Sequence, residues 1–261
     1  MDGPHDNLHL EFVDVALRLV EDAEARGLQL RILGSIAYRL QCPKHLHLFQ
    51  NMARVLTDVD FAGLKSQNQE VREFFLSAGY KPDEGVYMAS EGARHIYLHP
   101  ETNLNIDVFA NELYFCHRIP FEGRLDIDFP TISTTDLLLE KMQIVEINLK
   151  DFKDTLVLML EHPLGSPADG NKHIDVRYIC DMMAHDWGFH HTFVTNLRRV
   201  EGYILEFPSI SAADGDTIRA RIKELLDAIE AAPKSMKWKL RAKIGTRRIW
   251  YQEVTEKSAQ F

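Results

Sequence analysis

Asp58-Val59-Asp60 narrows the possible folds of this chain more than any other feature. The two aspartates lie in VLTDVDFAG (55–63), which otherwise reads as a strand. Side chains alternate along a strand, so positions 58 and 60 share one face while Val59 and Phe61 take the other. Aspartate is disfavoured in strands, and two carboxylates on one face repel unless something positive lies between them. The chain must therefore build a sheet with one apolar, packed face and one face whose charge needs an answer. Asp107 repeats the anomaly in LNIDVFA (104–110), flanked by Ile106 and Val108. A divalent metal is the usual answer, since Mg²⁺ takes carboxylate oxygens and keeps positions for phosphate. Three aspartates from two neighbouring strands would form a two-metal site that aligns the attacking and leaving oxygens of a phosphoryl transfer. The alternatives are solvation on an exposed sheet face, or pairing with arginine.

The surrounding pattern predicts an α+β protein: a small mixed sheet flanked by helices, followed by an all-helical C-terminal part. Apolar residues at helical spacing predict a helix over 8–26, ended by Gly27. LQLRILG (28–34) reads as a buried strand running into Gly34-Ser35, and SIAYRLQC (35–42) as a helix stopped before Pro43. QEVREFFLSAG (69–79) reads as a short amphipathic helix. GVYMA (85–89), RHIYLH (94–99) and LNIDVFA read as strands, the last two joined by the turn HPETN, and RLDIDF (124–129) as one more short strand. After Pro130 the character changes. Ser133 or Thr134 caps a helix through 136–148, 151–162 continues as helix, and PLGSPADGN (163–171) is a loop. Helices follow at about 172–187, 189–206, 213–231 and 235–244. The expected boundary divides a mixed domain, 1–130, from a helical domain, 131–261.

An apolar fraction of 45% is enough for a real core. No apolar run is long enough for a membrane span, and MDGPHDNLHLEF lacks the basic-then-apolar order of a secretory signal. Cys42, Cys116 and Cys180 are odd in number and far apart, which fits buried thiols in a reduced cytoplasm better than disulfides or a zinc site. The net charge is -9, but residues 234–261 hold eight Lys or Arg against two Glu, leaving -15 for the rest.

The ordered set Leu33-Gly34-Ser35, helix, Asp58-Val59-Asp60, then Asp107, resembles the nucleotidyltransferase superfamily of polymerase-β-like fold. Within it the chain looks most like the AbiEii-type enzymes, the toxin side of bacterial toxin–antitoxin pairs, where an Arg commonly precedes Asp-x-Asp by four residues, as Arg54 does. LLLEKMQIVEINLKDFKD (137–154) resembles that group's second block: a lysine on one helix, then a basic residue and Asp-x-x-Asp. The likeness spans roughly residues 28–162. It implies a metal-dependent transfer of NMP from an NTP to an acceptor hydroxyl with release of pyrophosphate. In that picture Asp58, Asp60 and Asp107 bind two Mg²⁺ (or Mn²⁺), and Asp107 helps deprotonate the acceptor. Gly34 and Ser35 cradle phosphate, with Arg54 beside them in the nucleotide site. Lys141 and Lys150 meet the triphosphate, and Asp151 and Asp154 orient them or the base, so the helical domain completes the site. It further implies a cognate antitoxin as partner. The other functions weighed are an aminoglycoside-like small-molecule nucleotidyltransferase and a nucleotide-binding module of the same fold without turnover. The departure is spacing: 22 residues separate Ser35 from Asp58, more than the family's usual interval, and CPKHLHLFQNMARV (42–55) reads as an insertion lengthening the connecting helix.

The residues also carry plainer meanings. Lys141 flanks an apolar helix stripe, where a lysine can simply snorkel. Asp151 and Asp154 suit the start of a helix. The basic segment 233–254 interleaves Lys234, Lys237, Lys239, Arg241, Lys243, Arg247 and Arg248 with Trp238, Trp250 and Tyr251, a pattern that neutralises phosphates and stacks bases in a tRNA or other RNA acceptor. Its plain counterpart is a surface helix with packed tryptophans. His185, His190 and His191 near Asp181 and Asp186 do not match a ligand spacing. No Gly-x-Ser-x-Gly, His-Glu-x-x-His or Walker motif occurs.

Overall fold

The structure, a computed structural model, describes residues 4–253. The chain begins with α1 (Pro4–Ala25), β1 (Arg31–Leu33), α2 (Gly34–Gln41), α3 (Leu46–Asn51), β2 (Val59–Gly63), α4 (Asn68–Ser77), β3 (Lys81–Pro82), α5 (Glu84–Ala89), β4 (Arg94–Leu98) and β5 (Asn105–Ala110). Two short strands, β6 (Glu112–Tyr114) and β7 (Arg118–Pro120), lead to α6 (Thr134–Met142) and α7 (Leu149–Glu161). Then come β8 (Leu164–Gly165), β9 (Ile174–Asp175), α8 (Val176–His185), α9 (Trp187–Tyr203), α10 (Ala212–Ala231) and α11 (Met236–Ile244). The fold is mixed α+β, with one small mixed sheet and many helices. It separates into two compact units. One gathers the chain up to Leu40 with Val55–Leu113 and Ile119–Ser133; the other gathers Gln41–Arg54, Tyr114–Arg118 and the chain from Thr134 onward.

The first unit is built on a five-stranded sheet in the order β1-β2-β5-β4-β3. Strands β2 and β5 run parallel and the other neighbours antiparallel. Alternation places Val59, Phe61, Ile106, Val108 and Tyr97 on one face, all buried. Phe75 of α4 covers that face, its ring stacked on Tyr97 at 4.4 Å and tilted to Phe61 at 6.3 Å. Each such side chain contributes roughly 1.5–3 kcal/mol when buried. A one-residue slip of β2 would push Asp60 into this layer, so the aromatic packing fixes the register that presents Asp60 on the other face. Beside β1, the Ile32 N–H donates to the Pro130 carbonyl at 2.9 Å and the Ile132 N–H to the Ile32 carbonyl at 3.0 Å. Arg31 is buried and ties the same region together, donating to the Asp128 carbonyl at 3.1 Å and to Glu24 Oε2 at 2.8 Å.

Three local expectations change. GVYMA is helix rather than strand, because the Asp83 carboxylate accepts the Val86 N–H at 3.1 Å and caps a turn there. RLDIDF is a run of turns: Ile127 donates to the Arg124 carbonyl at 3.2 Å and the Asp128 carboxylate takes the Phe129 N–H at 2.9 Å, so the alternating residues find no strand partner. The strand expected over 28–34 is formed only at Arg31–Leu33.

The second unit is a helical assembly. Every residue of α6 is buried. Helix α10 turns Ile218, Ile222, Leu225 and Ile229 inward at helical spacing, and all are fully buried. Two short parallel strands, with Leu164 opposite Ile174, interrupt what the sequence presents as loop and helix. The segment 42–55 does not lengthen α2. Pro43 opens a 3₁₀ turn, α3 follows, and residues up to Arg54 belong to this unit. His45 Nδ1 meets Glu161 Oε2 at 2.6 Å and the Lys153 ammonium caps the Met52 carbonyl, fastening the segment to α7. Cys42 and Cys116 are buried, Cys180 is half-buried, and none forms a disulfide. Among the described residues no helix is long and apolar enough to cross a membrane.

Candidate functional site

In the first unit the sheet register brings the aspartates together. Asp60 on β2 lies directly opposite Asp107 on β5. Asp58 precedes the first residue of β2, accepts the Thr57 hydroxyl at 3.1 Å, and its charge reaches Asp107. Gly34 stands at the β1–α2 junction with φ of +69°, and Leu33 pairs with Asp60. A Cβ added at Gly34 would fall 2.3 Å from Asp60 Oδ2. The glycine is therefore required both for its backbone conformation and for the approach of this carboxylate. Ser35, the next residue of α2, is buried.

Asp107 carries a partner that the sequence expectation did not name. Arg94 Nε donates to Asp107 Oδ1 at 3.0 Å and to Oδ2 at 2.9 Å, and a terminal guanidinium nitrogen bonds Oδ2 as well. Arg94 lies across from Phe109 and diagonal to Asp107 on the antiparallel β4–β5 pair, with its guanidinium 5.3 Å from the Phe109 ring centre. Burial pushes the Asp107 carboxyl above the usual range; the Arg94 pair opposes this, and the neighbouring Asp58 charge adds to it. The arginine alternative thus holds for Asp107. Carboxylate oxygens are the hard donors that Mg²⁺ or Mn²⁺ takes, and Asp58 and Asp60 carry such oxygens. Among the described residues, no three His, Cys, Asp or Glu are arranged as a ready metal cage.

The second sequence block forms a separate network inside the second unit. Lys141 on α6 is buried, with Nζ at 3.0 Å from Glu140, 3.4 Å from Asp151 and 3.6 Å from Asp154. Arg54 forks onto Asp154 with two bonds of 2.9 Å. Burial by itself would lower the Lys141 ammonium, but Glu140, Asp151 and Asp154 outweigh it and hold the group above an ordinary lysine. Asp151 also closes a capping box with Asn148 at the start of α7, taking the Asn148 N–H at 3.2 Å. Arg54, Lys141, Asp151 and Asp154 are thus brought together, with Glu140 added. Lys150 is not: it lies exposed in the first turn of α7, outside the network.

The basic segment has its aromatic rings committed to packing. Trp238 meets His190 edge-on at 5.1 Å, and Trp250 Nε1 donates to Thr192 Oγ1 at 3.0 Å while its ring meets His191 at 5.1 Å. The Arg241 guanidinium lies 4.7 Å from the Trp187 ring centre and donates to the Gly245 carbonyl at 2.7 Å. A Cβ on Gly188 would be 2.4 Å from the Trp250 carbonyl oxygen, which shows how closely the tail lies on the start of α9. The tryptophans expected to stack bases therefore hold the tail down. Lys237, Lys239, Lys243, Arg247 and Arg248 remain exposed. Val254, the last residue of the expected segment, lies outside the described residues. His190 and His191 serve this aromatic layer.

Comparisons with protein-family models, with curated proteins and with solved structures found no match to this chain.

Proposed function

We propose that the chain is a divalent-cation-dependent nucleotidyltransferase, moving an NMP from an NTP to an acceptor hydroxyl and releasing pyrophosphate. The observation that carries this reading is the pairing of Asp60 with Asp107 on adjacent parallel strands, with Asp60 pressed against the positive-φ Gly34 at the head of α2. Asp58 and Asp60 would hold the cation, which would supply Lewis-acid stabilisation to the phosphate undergoing transfer. Gly34 leaves the backbone of the β1–α2 turn open to close approach by a phosphate. Asp107 is the third carboxylate, positioned to accept the proton of the attacking hydroxyl. The hydroxyl oxygen bonds to the α-phosphorus, the bond to the bridging oxygen breaks, and pyrophosphate leaves with that electron pair. The Lys141 and Arg54 network supports the reading through its match to the family's second block. Lys141 and Arg54 are both engaged by carboxylates within the second unit, so the network's role is to shape and stiffen that region. The proposed acceptor is RNA, on the exposed cations of α11 and the residues after it; a role as the toxin of a pair with an antitoxin follows from the resemblance alone.

The test is transfer of label from each α-labelled NTP to total tRNA with Mg²⁺, alongside pyrophosphate release and an Asp60→Asn control. Mg²⁺-dependent transfer lost in the control supports the proposal. Transfer only to small hydroxylated compounds such as aminoglycosides would replace the RNA acceptor. A second reading, a nucleotide-binding module without turnover, is favoured by the ion pairs on Asp107 and Lys141. Tight calorimetric binding of an NTP with no pyrophosphate release from any acceptor would select it.

A further inference from the structure

We propose that the cavity between α1 and the turn at 99–104, within the first unit, binds a small molecule with an apolar body and a single carboxylate. The cavity has a volume of about 460 Å³, a size that takes a small organic ligand. None of Asp58, Asp60 and Asp107 lines it, so the site is separate from the carboxylate centre and stands without the proposed reaction. One wall is α1, where Phe12, Val15 and Leu19 recur at helical spacing. Phe12 and Val15 are only half-buried, as is Leu104 at the end of the turn, so an apolar guest would remove their remaining surface from water.

Three donors belong to the lining: Tyr80, His99 and Arg18. Tyr80 is buried, its ring held edge-on by Phe75 at 5.8 Å and by His99 at 5.0 Å. These rings fix its hydroxyl, which among the described residues is neither hydrogen-bonded nor sealed from solvent. His99 Nδ1 accepts the N–H groups of Glu101 and Thr102, both at 3.4 Å, which leaves Nε2 as the donor of the ring. The turn that carries it is pinned, with the His99 N–H donating to the Leu104 carbonyl at 3.0 Å and the Asn103 N–H to the His99 carbonyl at 2.9 Å. Arg18 uses Nε within its own helix, 3.4 Å from the Asp14 carbonyl, and its charge reaches Tyr80. A carboxylate accepts from O–H, N–H and guanidinium donors alike, and such charge-assisted bonds are the strong ones. Asp22 is the one acid in the lining among the described residues, and it is exposed, where water screens it. Donors on the wall and a solvated acid at its edge select an anionic head over a cationic one.

The experiment is calorimetric titration of the full chain with octanoate, and with octylamine and octanol, which carry other heads on the same alkyl tail. Octanoate should bind one molecule per chain, about tenfold or more tighter than octylamine or octanol. Tyr80→Phe keeps the ring packing and should weaken octanoate by about threefold or more, because only a hydroxyl donor is lost. Arg18→Gln should weaken octanoate by about fivefold or more and leave octanol within about twofold, because only the charge on the head is lost. Ala78→Trp, at an exposed position of the lining, should fill the cavity and abolish the binding. Octylamine binding as tightly as octanoate overturns the carboxylate head. Absence of saturable octanoate binding, or binding that Tyr80→Phe, Arg18→Gln and Ala78→Trp all leave unchanged, overturns the site. Should Ala78→Trp fail to fold, Tyr80→Phe and Arg18→Gln still decide the matter, since each alters only a polar tip.

Discussion

The Asp60 carboxylate occupies the space that a side chain on Gly34 would need, with Oδ2 only 2.3 Å from where a Cβ would stand. The contact is a consequence of topology: β1 and β2 are antiparallel neighbours that pair Leu33 with Asp60, and the chain turns into α2 at the next residue. The head of that helix and the acidic strand are therefore set against each other by backbone pairing. A feature of the sequence motif thus has a steric cause within this one unit.

Gly34→Ala should accordingly be worse than an ordinary glycine substitution. The φ of +69° costs a non-glycine residue about 1 kcal/mol or more, and the methyl group must also move Asp60. Gly27 supplies the control: its φ is +75° but nothing lies within 4 Å of an added Cβ. Gly27→Ala should lower stability by about 1 kcal/mol with Mn²⁺ affinity unchanged. Gly34→Ala should lower stability further and weaken Mn²⁺ binding at least tenfold. Urea denaturation and calorimetry on the two variants check this, and equal behaviour would remove the steric argument.

The Lys141 network should behave as a buried unit. Lys141→Met takes the ammonium away from Glu140, Asp151 and Asp154, and leaves Arg54 forked onto Asp154, which is fully buried. Breaking one partner of such a group costs about 3–5 kcal/mol. Adding Asp151→Asn to Lys141→Met should restore part of the loss, because a carboxylate no longer faces the missing ammonium. The coupling from urea denaturation of the two single variants and the double variant measures it. A Lys141→Met chain as stable as wild type would show that the ammonium is not balancing those charges.

Much of the first unit was legible because period-two alternation and the Gly-Ser and Asp-x-Asp spacing are short-range signals. They assign Val59 and Phe61 to the packed face and Asp60 to the other, as the structure has them. The Arg94–Asp107 pair was readable in principle: the turn at 99–104 fixes which residues of RHIYL face LNIDVFA, and the one cation on that face is Arg94. The helix at 84–89 was hidden because a six-residue apolar run has no period of its own and only the Asp83 cap decides it. The place of 41–54 was hidden for another reason. Its anchors, Glu161 and Asp154, lie 116 and 100 residues from the residues they hold, and nothing local marks them. The same holds for Trp238 and Trp250, whose histidine partners on α9 turn an apparent base-stacking pattern into packing.

Acid should unfold the protein through its buried histidines before the carboxylates are fully protonated. Burial lowers both His95 and His117 from the ordinary 6.5 to about 4. His95 faces Tyr97 and Tyr87, and His117 stacks on Phe189 at 4.9 Å with its Nε2 at 2.9 Å from Thr192 Oγ1. Between those two pH values the unfolded chain binds a proton at each site that the folded chain refuses. The stability these residues contribute is therefore complete above about pH 6.5 and is lost as pH falls toward 4. The loss is on the order of 3 kcal/mol per residue. Asp107 acts in the opposite sense, because its raised pKa makes the folded state the better proton acceptor just above the ordinary carboxylate range. That gain comes from one site against five histidines lowered by burial, since His162, His190 and His191 are lowered as well, so the net slope stays destabilising on acidification. Thermal melts from pH 7.5 down to 4.5 should show the midpoint falling through this window, and His117→Gln should flatten the fall in part by removing one of these proton sites. An unchanged slope in His117→Gln would mean that the ring already takes up its proton in the folded state.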